Sequence, residues 1–443
     1  MSTAKELKKE IERGVWDASL GKLYGRRAGV LERQRARYAD ALDCFAALYG
    51  GEREAAIYSA PGRTEIGGNH NHGVVMAGAV DLDVIAVVSK NTDDVVRVKS
   101  KGFDGRDEVK LEQLSPVLAE QGRSAALIRG VAAGIAKQGG VLGGFAEGFR
   151  AKGCDVGGFD AYTTSDVLRG SGLSSSAAFE VVIGTVFNGE YNQGRFSAVD
   201  IAKISQYAEN EYFGKPSGLM DQTACSVGSV ITIDFRDPAS PVVEKVDFDL
   251  AKHDYCLCIT DTKGSHASLT DEYAAVRQEM EAVAAYFDKP VLREVDESAF
   301  YADIAGVREK LGDRAVLRAI HFFADSRRAG ALCSAIREDR FEDFLELIVA
   351  GGHSSFEYNQ NAYSAKNPRE QGVSLGLALS QHILEGYGAW RLQGGGFAGT
   401  IQAFVPVHLL EAYRAAMDSV FGEGSCYVLN VRNYGALCVT EVL

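Results

Sequence analysis

Arg169-Gly170-Ser171-Gly172-Leu173-Ser174-Ser175-Ser176-Ala177-Ala178 places small, flexible residues and a run of three serines directly ahead of an apolar stretch, 174–188, that reads as a helix. At a helix start the first backbone N–H groups lack intrahelical partners and the positive end of the dipole faces outward, so the segment is expected to hold an anion such as a phosphate. A Gly/Ser turn with a serine N-cap has the same residues, and the segment by itself does not separate the two readings. No GxxxxGK[ST] loop and no HRD or DFG segment occurs in the chain, which sets aside the P-loop and protein-kinase ways of holding a nucleotide.

Outward from this segment the chain is mixed. Residues 197–213 repeat the helical pattern, with Ser197 and Asp200 spaced as a capping box and Phe196 placed to staple against Ile201. Residues 229–235 alternate as a strand, and Arg236-Asp237-Pro238-Ala239-Ser240-Pro241 is the most turn-rich stretch of the chain. A domain boundary is placed there, giving domains 1–240 and 241–443. Beyond it, a strand at 255–260, a long helix at 269–287, further helices to 349 and strands at 400–405 and 426–431 are expected. Upstream, the runs DLDVIAVVSK and VVRVKS on either side of NTDD read as a β-hairpin. Residues 1–50 read as a helical lead-in without evident chemistry.

With 443 residues, 46% of them hydrophobic, the chain is long enough for two cores. Its formal net charge of -13 argues against wrapping nucleic acid, which needs a basic surface, and favours small-molecule chemistry. The eight cysteines form no CxxC pair, so reduced thiols are expected, and Cys256 and Cys258 read as strand packing. The charged N-terminus has no apolar signal core, and no run of 18 apolar residues occurs; a cytoplasmic protein is the expectation, with no membrane partner. A monomer is the default expectation for its assembly.

Two further glycine-bearing segments flank the first: Ala60-Pro61-Gly62-Arg63-Thr64-Glu65-Ile66-Gly67-Gly68-Asn69-His70 and Gln393-Gly394-Gly395-Gly396-Phe397-Ala398-Gly399. In their order the three resemble the motifs of the GHMP kinase superfamily, nearest to the galactokinase patterns APGRVNLIGEH, GLSSSA and GGGFGG, although the proline that usually opens the second has no match here. Ala208-Glu209 followed by Gly218-Leu219-Met220-Asp221-Gln222 is similar to the galactokinase AEH and GIMDQ at the same spacing. The resemblance implies an α+β, two-domain GHMP kinase fold, with a ribosomal protein S5 domain 2-like N-terminal half, a ferredoxin-like C-terminal half and ATP in the cleft between them.

It also implies roles. Gly170, Ser171, Gly172, Leu173, Ser174, Ser175, Ser176 and Ala177 would bind ATP. Asp221 would be the catalytic base or charge partner of the attacking sugar hydroxyl, with Arg63 beside it. Ser176 and Glu209 would hold Mg²⁺, which is satisfied by few hard oxygen ligands. Asn69, His70, Gly218, Asp221 and Tyr273 would meet the sugar, and Gly394, Gly395 and Gly396 form the third motif. Taken without the family, Glu209 reads as an exposed residue near a helix end and Asp221 as a loop N-cap. Arg63 likewise reads as a surface arginine in a Pro-Gly turn, and Tyr273 as a packing aromatic. His353-Ser354-Ser355 resembles another short galactokinase stretch and receives no role.

The implied reaction is transfer of the γ-phosphate of ATP to the C1 hydroxyl of a galactose-like sugar. One segment departs from the pattern. Galactokinases read GEHTDYNxG where this chain reads Gly68-Asn69-His70-Asn71-His72-Gly73: three residues are missing, Asn69 stands for the glutamate, and nothing acidic stands for the aspartate. A lost acceptor weakens discrimination among hydroxyls. The acceptor is therefore left open among galactose, an amino sugar, a uronic acid and a pentose, with a non-catalytic sugar sensor as the reading from another class. His70 and His72, without a third ligand nearby, do not make a metal site.

Overall fold

The computed structural model describes residues 2–27, 29–68, 73–141, 155–167, 172–237, 241–264 and 269–442. Helices α1 (Ala4–Glu12), α2 (Asp17–Tyr24) and α3 (Val30–Tyr49) lead into β1 (Ala56–Gly68), β2 (Val74–Lys90), β3 (Val95–Ser100) and β4 (Asp107–Lys110). Then come α4 (Ser124–Val141), β5 (Phe159–Ser165), α5 (Ser175–Asn192), α6 (Ala198–Ala208), α7 (Met220–Val227), β6 (Val230–Asp234) and β7 (Val242–Val246). The remainder comprises β8 (Tyr255–Asp261), α8 (Thr270–Tyr286), α9 (Glu297–Ala302), α10 (Ile304–Leu311), α11 (Asp313–Arg337), α12 (Phe341–Ser354) and α13 (Gly372–Leu384). It closes with β9 (Ala389–Leu392), β10 (Thr400–Pro406), α14 (Leu410–Phe421), β11 (Cys426–Leu429), β12 (Leu437–Cys438) and α15 (Val439–Val442).

Strand β2 organises the first sheet. Its 17 residues are long enough for one edge to pair with β1 while the other carries β5 at one end and β6 at the other. Nearly all of it is buried, as expected of a strand covered on both faces. The two faces separate with period two. Ile57, Ile85 and Val87 pack with Leu20, Tyr38, Leu42 and Phe45 of the leading helices. Tyr58, Val84, Ala86 and Val88 pack with Ile128, Val181, Phe187 and Ile204 from α4, α5 and α6. The leading 50 residues are thus a lid over one face of the sheet. Helix α6 begins with the expected capping box: Ser197 N–H donates to Asp200 Oδ2 at 2.9 Å and Asp200 N–H to Ser197 Oγ at 3.2 Å.

The β2–β3 hairpin does not form. The sheet order is β12-β1-β2-β5-β3-β4, with β5 inserted between the two and β3 running parallel to it. Burial explains the arrangement: β5 is buried along all but its last residue, whereas β3 and β4 alternate with partly exposed positions. The more apolar strand takes the inner place and the charged strands take the edge.

The second sheet has the order β11-β8-β10-β9 and is antiparallel throughout. With α8–α13 after its first strand and α14 before its last, it has the β-α-β-β-α-β order of a ferredoxin-like unit. The expected boundary near residue 240 falls between β6 and β7, which pair in the first sheet, and β12 returns to pair with β1 at Tyr58 and Ser59.

Candidate active site

Arg63 is not in a surface turn. Pro61 and Gly62 lie inside β1, at a register shift against β2, and Arg63 is buried. A bulge of this kind re-aims the strand locally. Here it brings β1 onto the phosphate segment: Arg63 N–H donates to Leu173 O at 3.1 Å, and a Cβ on Gly62 would stand 2.8 Å from the same carbonyl. The Arg63 guanidinium donates through Nε to Asp221 Oδ1 at 2.7 Å and through a terminal nitrogen to Gly172 O. Burial opposes its charge. Asp221, with Glu65 adding to it, outweighs that cost and holds the pKa above the ordinary arginine value.

Ser174 is the N-cap of α5 in left-handed geometry, φ 60° and ψ 57°, and its side chain makes no cap bond. Its hydroxyl donates instead to Asp221 Oδ2, so the first-turn amides of α5 are not taken up by their own cap. Asp221, in the first turn of α7, is therefore gripped by β1 on one oxygen and by the phosphate segment on the other.

A second carboxylate, Glu209, is held by the same two segments, through Ser176 and Gln222. The Ser176 hydroxyl donates to Glu209 Oε1 at 2.9 Å, Lys215 Nζ donates to the same oxygen at 2.8 Å, and Gln222 Nε2 donates to Oε2 at 2.8 Å. Glu209 is buried, contrary to its reading as an exposed helix-end residue. It opens a π-turn, Glu209–Phe213, that follows α6, an irregularity common at functional positions. Behind it, Glu180 of α5 is fully buried. Desolvation, then the charge of Glu209, pushes its pKa well above the carboxylate range.

Beside these groups opens a cavity of about 540 Å³. Gly218, Tyr273, Gly394 and Gly395 line it together with Glu65, Asp325 and Arg391; Asp221 starts the helix just after its Gly218-Leu219 wall. Tyr273 donates through its hydroxyl to Gly396 O at 2.8 Å and meets Phe397 edge-on, and burial pushes its phenol up to about 12. It is thus both a packing aromatic and a cavity wall. The third motif reaches the phosphate segment through Gln393 Nε2, 3.3 Å from Gly172 O. Of the unassigned 353–355 stretch, Ser355 lines the cavity and Ser354 hydrogen-bonds His321 at 2.9 Å. The predicted positions Gly170, Ser171, Asn69 and His70 lie outside the described residues.

Several participants carried no sequence signal. Lys215 follows the π-turn as an ordinary surface lysine would. Glu180 sits in an apolar helix, and Arg391 is a single charge in a strand. Gln222 and Glu65 stood inside the quoted motifs without a role.

Comparison with known proteins identifies the family and the fold. Residues 125–229 match the GHMP kinases N terminal domain, and residues 43–90 match the galactokinase galactose-binding signature. The chain is 31% identical to a galactokinase of Streptomyces coelicolor over 386 residues, covering 85% of this chain and 91% of that one. It is 30% identical to a galactokinase of Actinobacillus pleuropneumoniae serotype 3, covering 84% and 90%. Its fold superposes on the galactose complex of Lactococcus lactis galactokinase with a TM-score of 0.73 at 21% identity, over 91% of this chain and all of that one. A mevalonate kinase follows at 0.57 and 12% identity, over 84% and 98%.

Proposed function

This chain belongs to the galactokinase family of the GHMP kinases, and from that premise we propose that it transfers the γ-phosphate of ATP to the anomeric hydroxyl of galactose, with Asp221 orienting that hydroxyl. One observation carries the assignment of roles. Asp221, in the first turn of α7, is clamped between Arg63 Nε at 2.7 Å and the hydroxyl of Ser174, and Ser174 is the N-cap of α5, whose side chain leaves the first amides of that helix uncapped. Phosphoryl transfer asks of a protein chiefly position and charge. The α5 start, with Ser174, Ser175 and Ser176, receives phosphate oxygens. The sugar hydroxyl donates to the Asp221 carboxylate, which accepts its proton as the sugar O–P bond forms and the bond from the γ-phosphorus to the β–γ bridging oxygen breaks, releasing ADP, and Arg63 balances the negative charge beside Asp221.

The Ser176 hydroxyl meets Glu209 Oε1, the oxygen that also accepts from Lys215 Nζ, and a hydroxyl beside a carboxylate suits a hard ion that keeps most of its water. These two residues would hold Mg²⁺, which when bound spreads the charge of the phosphate oxygens.

Residues 1–240 are assigned the phosphate segment and the sugar-facing end of β1. Residues 241–443 are assigned the wall that closes the cleft, while lending β7 and β12 to the first sheet. No helix among the described residues is long and apolar enough to cross a membrane; with ATP as donor we place the enzyme in the cytoplasm, as a monomer.

The test is ADP release from MgATP with galactose, N-acetylgalactosamine, galacturonate, arabinose and glucose, for the wild-type protein and Asp221→Asn. Galactose should be preferred. The variant should lose roughly 10²- to 10⁴-fold in kcat while binding MgATP as the wild type does. An active Asp221→Asn protein sinks this mechanism, and preference for another sugar changes the acceptor.

A further inference from the structure

The cavity has a polar end that phosphoryl transfer does not use. Asp325, on α11, is 1% exposed. Its Oδ1 accepts from Arg328, but its Oδ2 has no hydrogen-bond partner. His321 Nε2, one turn back on the same helix, is 4.0 Å from it, beyond hydrogen-bond reach. Burial, reinforced by Arg328 and Arg391, keeps that imidazole below its ordinary pKa against the pull of Asp325. The Oδ1 atoms of Asn359 and Asn361, two more buried residues lining the same cavity, are also unpartnered. Buried polar atoms are rarely left this way, and all three are acceptors. A complementary ligand must bring donors.

Charge narrows the ligand further. Around the cavity Glu65 faces Arg391 at 3.5 Å, Asp325 faces Arg328, and Glu281 faces Arg277 at 2.7 Å. Each carboxylate has its cation, so a neutral, hydroxyl-bearing ligand fits and a uronate would arrive with an unmatched charge.

Position ties this end to the reaction. Arg63 and Glu65 lie on one face of β1 about 7 Å apart, the scale of a monosaccharide. Glu65 leads through Arg391 to Asp325: a Cβ on Gly351 would lie 3.6 Å from Asp325 Oδ1 and 3.7 Å from Arg391. Ala329, one turn beyond Asp325, packs at Gly68, where a Cβ would meet it at 3.0 Å.

We propose that Asp325, with His321 beside it, reads a hydroxyl of the sugar remote from the reacting one, so that α11 supplies the carboxylate acceptor absent from the segment after Gly68. This rests on the sugar-kinase reading above, and the test separates the two. Calorimetric binding of galactose and of its 2-, 3-, 4- and 6-deoxy analogues is measured with the full-length wild type, Asp221→Asn and Asp325→Asn. The last variant keeps an oxygen for Arg328.

Asp325→Asn should weaken galactose roughly 10- to 100-fold with MgATP binding unchanged, and the penalty for one deoxy analogue should disappear in it. Galactose binding that Asp325→Asn leaves intact overturns the proposal while the kinase reading stands. Binding lost in Asp325→Asn, in a protein that turns over no sugar, sinks the kinase reading and keeps the site; no galactose binding by the wild type overturns both. Should Asp325→Asn fail to fold, the wild type decides: equal affinity for all four analogues overturns the proposal, and a single discriminated hydroxyl supports it.

Discussion

Glu180 and Glu209 meet across Gln222, and Lys215 bonds Glu209 directly while acting on Glu180 only from a distance. Glu180 Oε2 accepts from Gln222 Nε2 at 3.3 Å, while Oε1 has no partner. Because burial and Glu209 raise its pKa in the folded state above the ordinary 4.5, the folded protein holds this proton more tightly than the unfolded chain. The associated stability is complete below about pH 4.5 and declines as pH rises toward the folded pKa, by about 1.4 kcal/mol for each pH unit crossed between the two values. Glu180→Gln mimics the protonated form. Its melting temperature should fall less than that of the wild type between pH 5 and pH 8 in calorimetry, and a steeper fall would contradict the assignment. Ser174→Ala removes one of the two grips on Asp221 without touching the cavity. A hydrogen bond to a charged group is worth about 1.5–3 kcal/mol, so kcat should drop roughly 10- to 100-fold in steady-state ADP release, with a rise in KM for ATP from the lost phosphate contact; an unchanged kcat would contradict the grip on Asp221.

At the scale of elements, the contact that matters most is β1 against the phosphate segment, possible only because Gly62 lacks a side chain. A Cβ there would press on Leu173 O at 2.8 Å and on Val167 at 3.1 Å. Overpacking of this order costs about 1–3 kcal/mol. Gly62→Ala should therefore lower the melting temperature and reduce kcat together by prising Arg63 away from Asp221; a stable variant with full activity would refute the contact's importance. The same strand shows where sequence reasoning stops. Helices α5 and α6 were legible because their signals are local: an apolar run after serines, and a box closed within four residues. Pro61-Gly62 carries an equally local signal, for a turn, and tertiary pairing with β2 overrides it. The separation of β2 from β3 depends on β5, some sixty residues downstream of β3, which no window around NTDD contains. Asp325 and His321 are four apart on a helix and look like surface residues until α11 packs over β1. The residues proposed for catalysis were singled out through the family's motifs, whereas the polar end of the cavity belongs to no motif.

Across the whole molecule, the polar knot at Asp83 fastens three distant parts of the chain. Asp83 is fully buried in β2. It accepts from Arg37 of α3 at 2.6 Å, from Arg432 beyond β11 at 2.9 Å, from Tyr24 at 2.6 Å and from Ser59. Burial alone would raise its pKa, but Arg37 and Arg432 outweigh burial and hold it below the ordinary value. Its contribution is therefore present above about pH 4 and is lost as pH falls through the folded pKa. Asp83→Asn strands two buried guanidinium groups and should cost about 3–5 kcal/mol, read as a lower urea midpoint with an unchanged m-value.

The pairing of Tyr58 with Cys438 also has a meaning in time. The strand bearing Arg63 is synthesised about 370 residues ahead of its outer neighbour β12 and of Arg432. At ordinary elongation rates of about 5–20 residues per second, that delay is roughly twenty to seventy-five seconds. Throughout it, the edge of β1 stands open and Asp83 has one guanidinium instead of two. Completion of the first sheet therefore cannot precede synthesis of the segment that carries Arg432 and β12, however early β1 and β2 have paired.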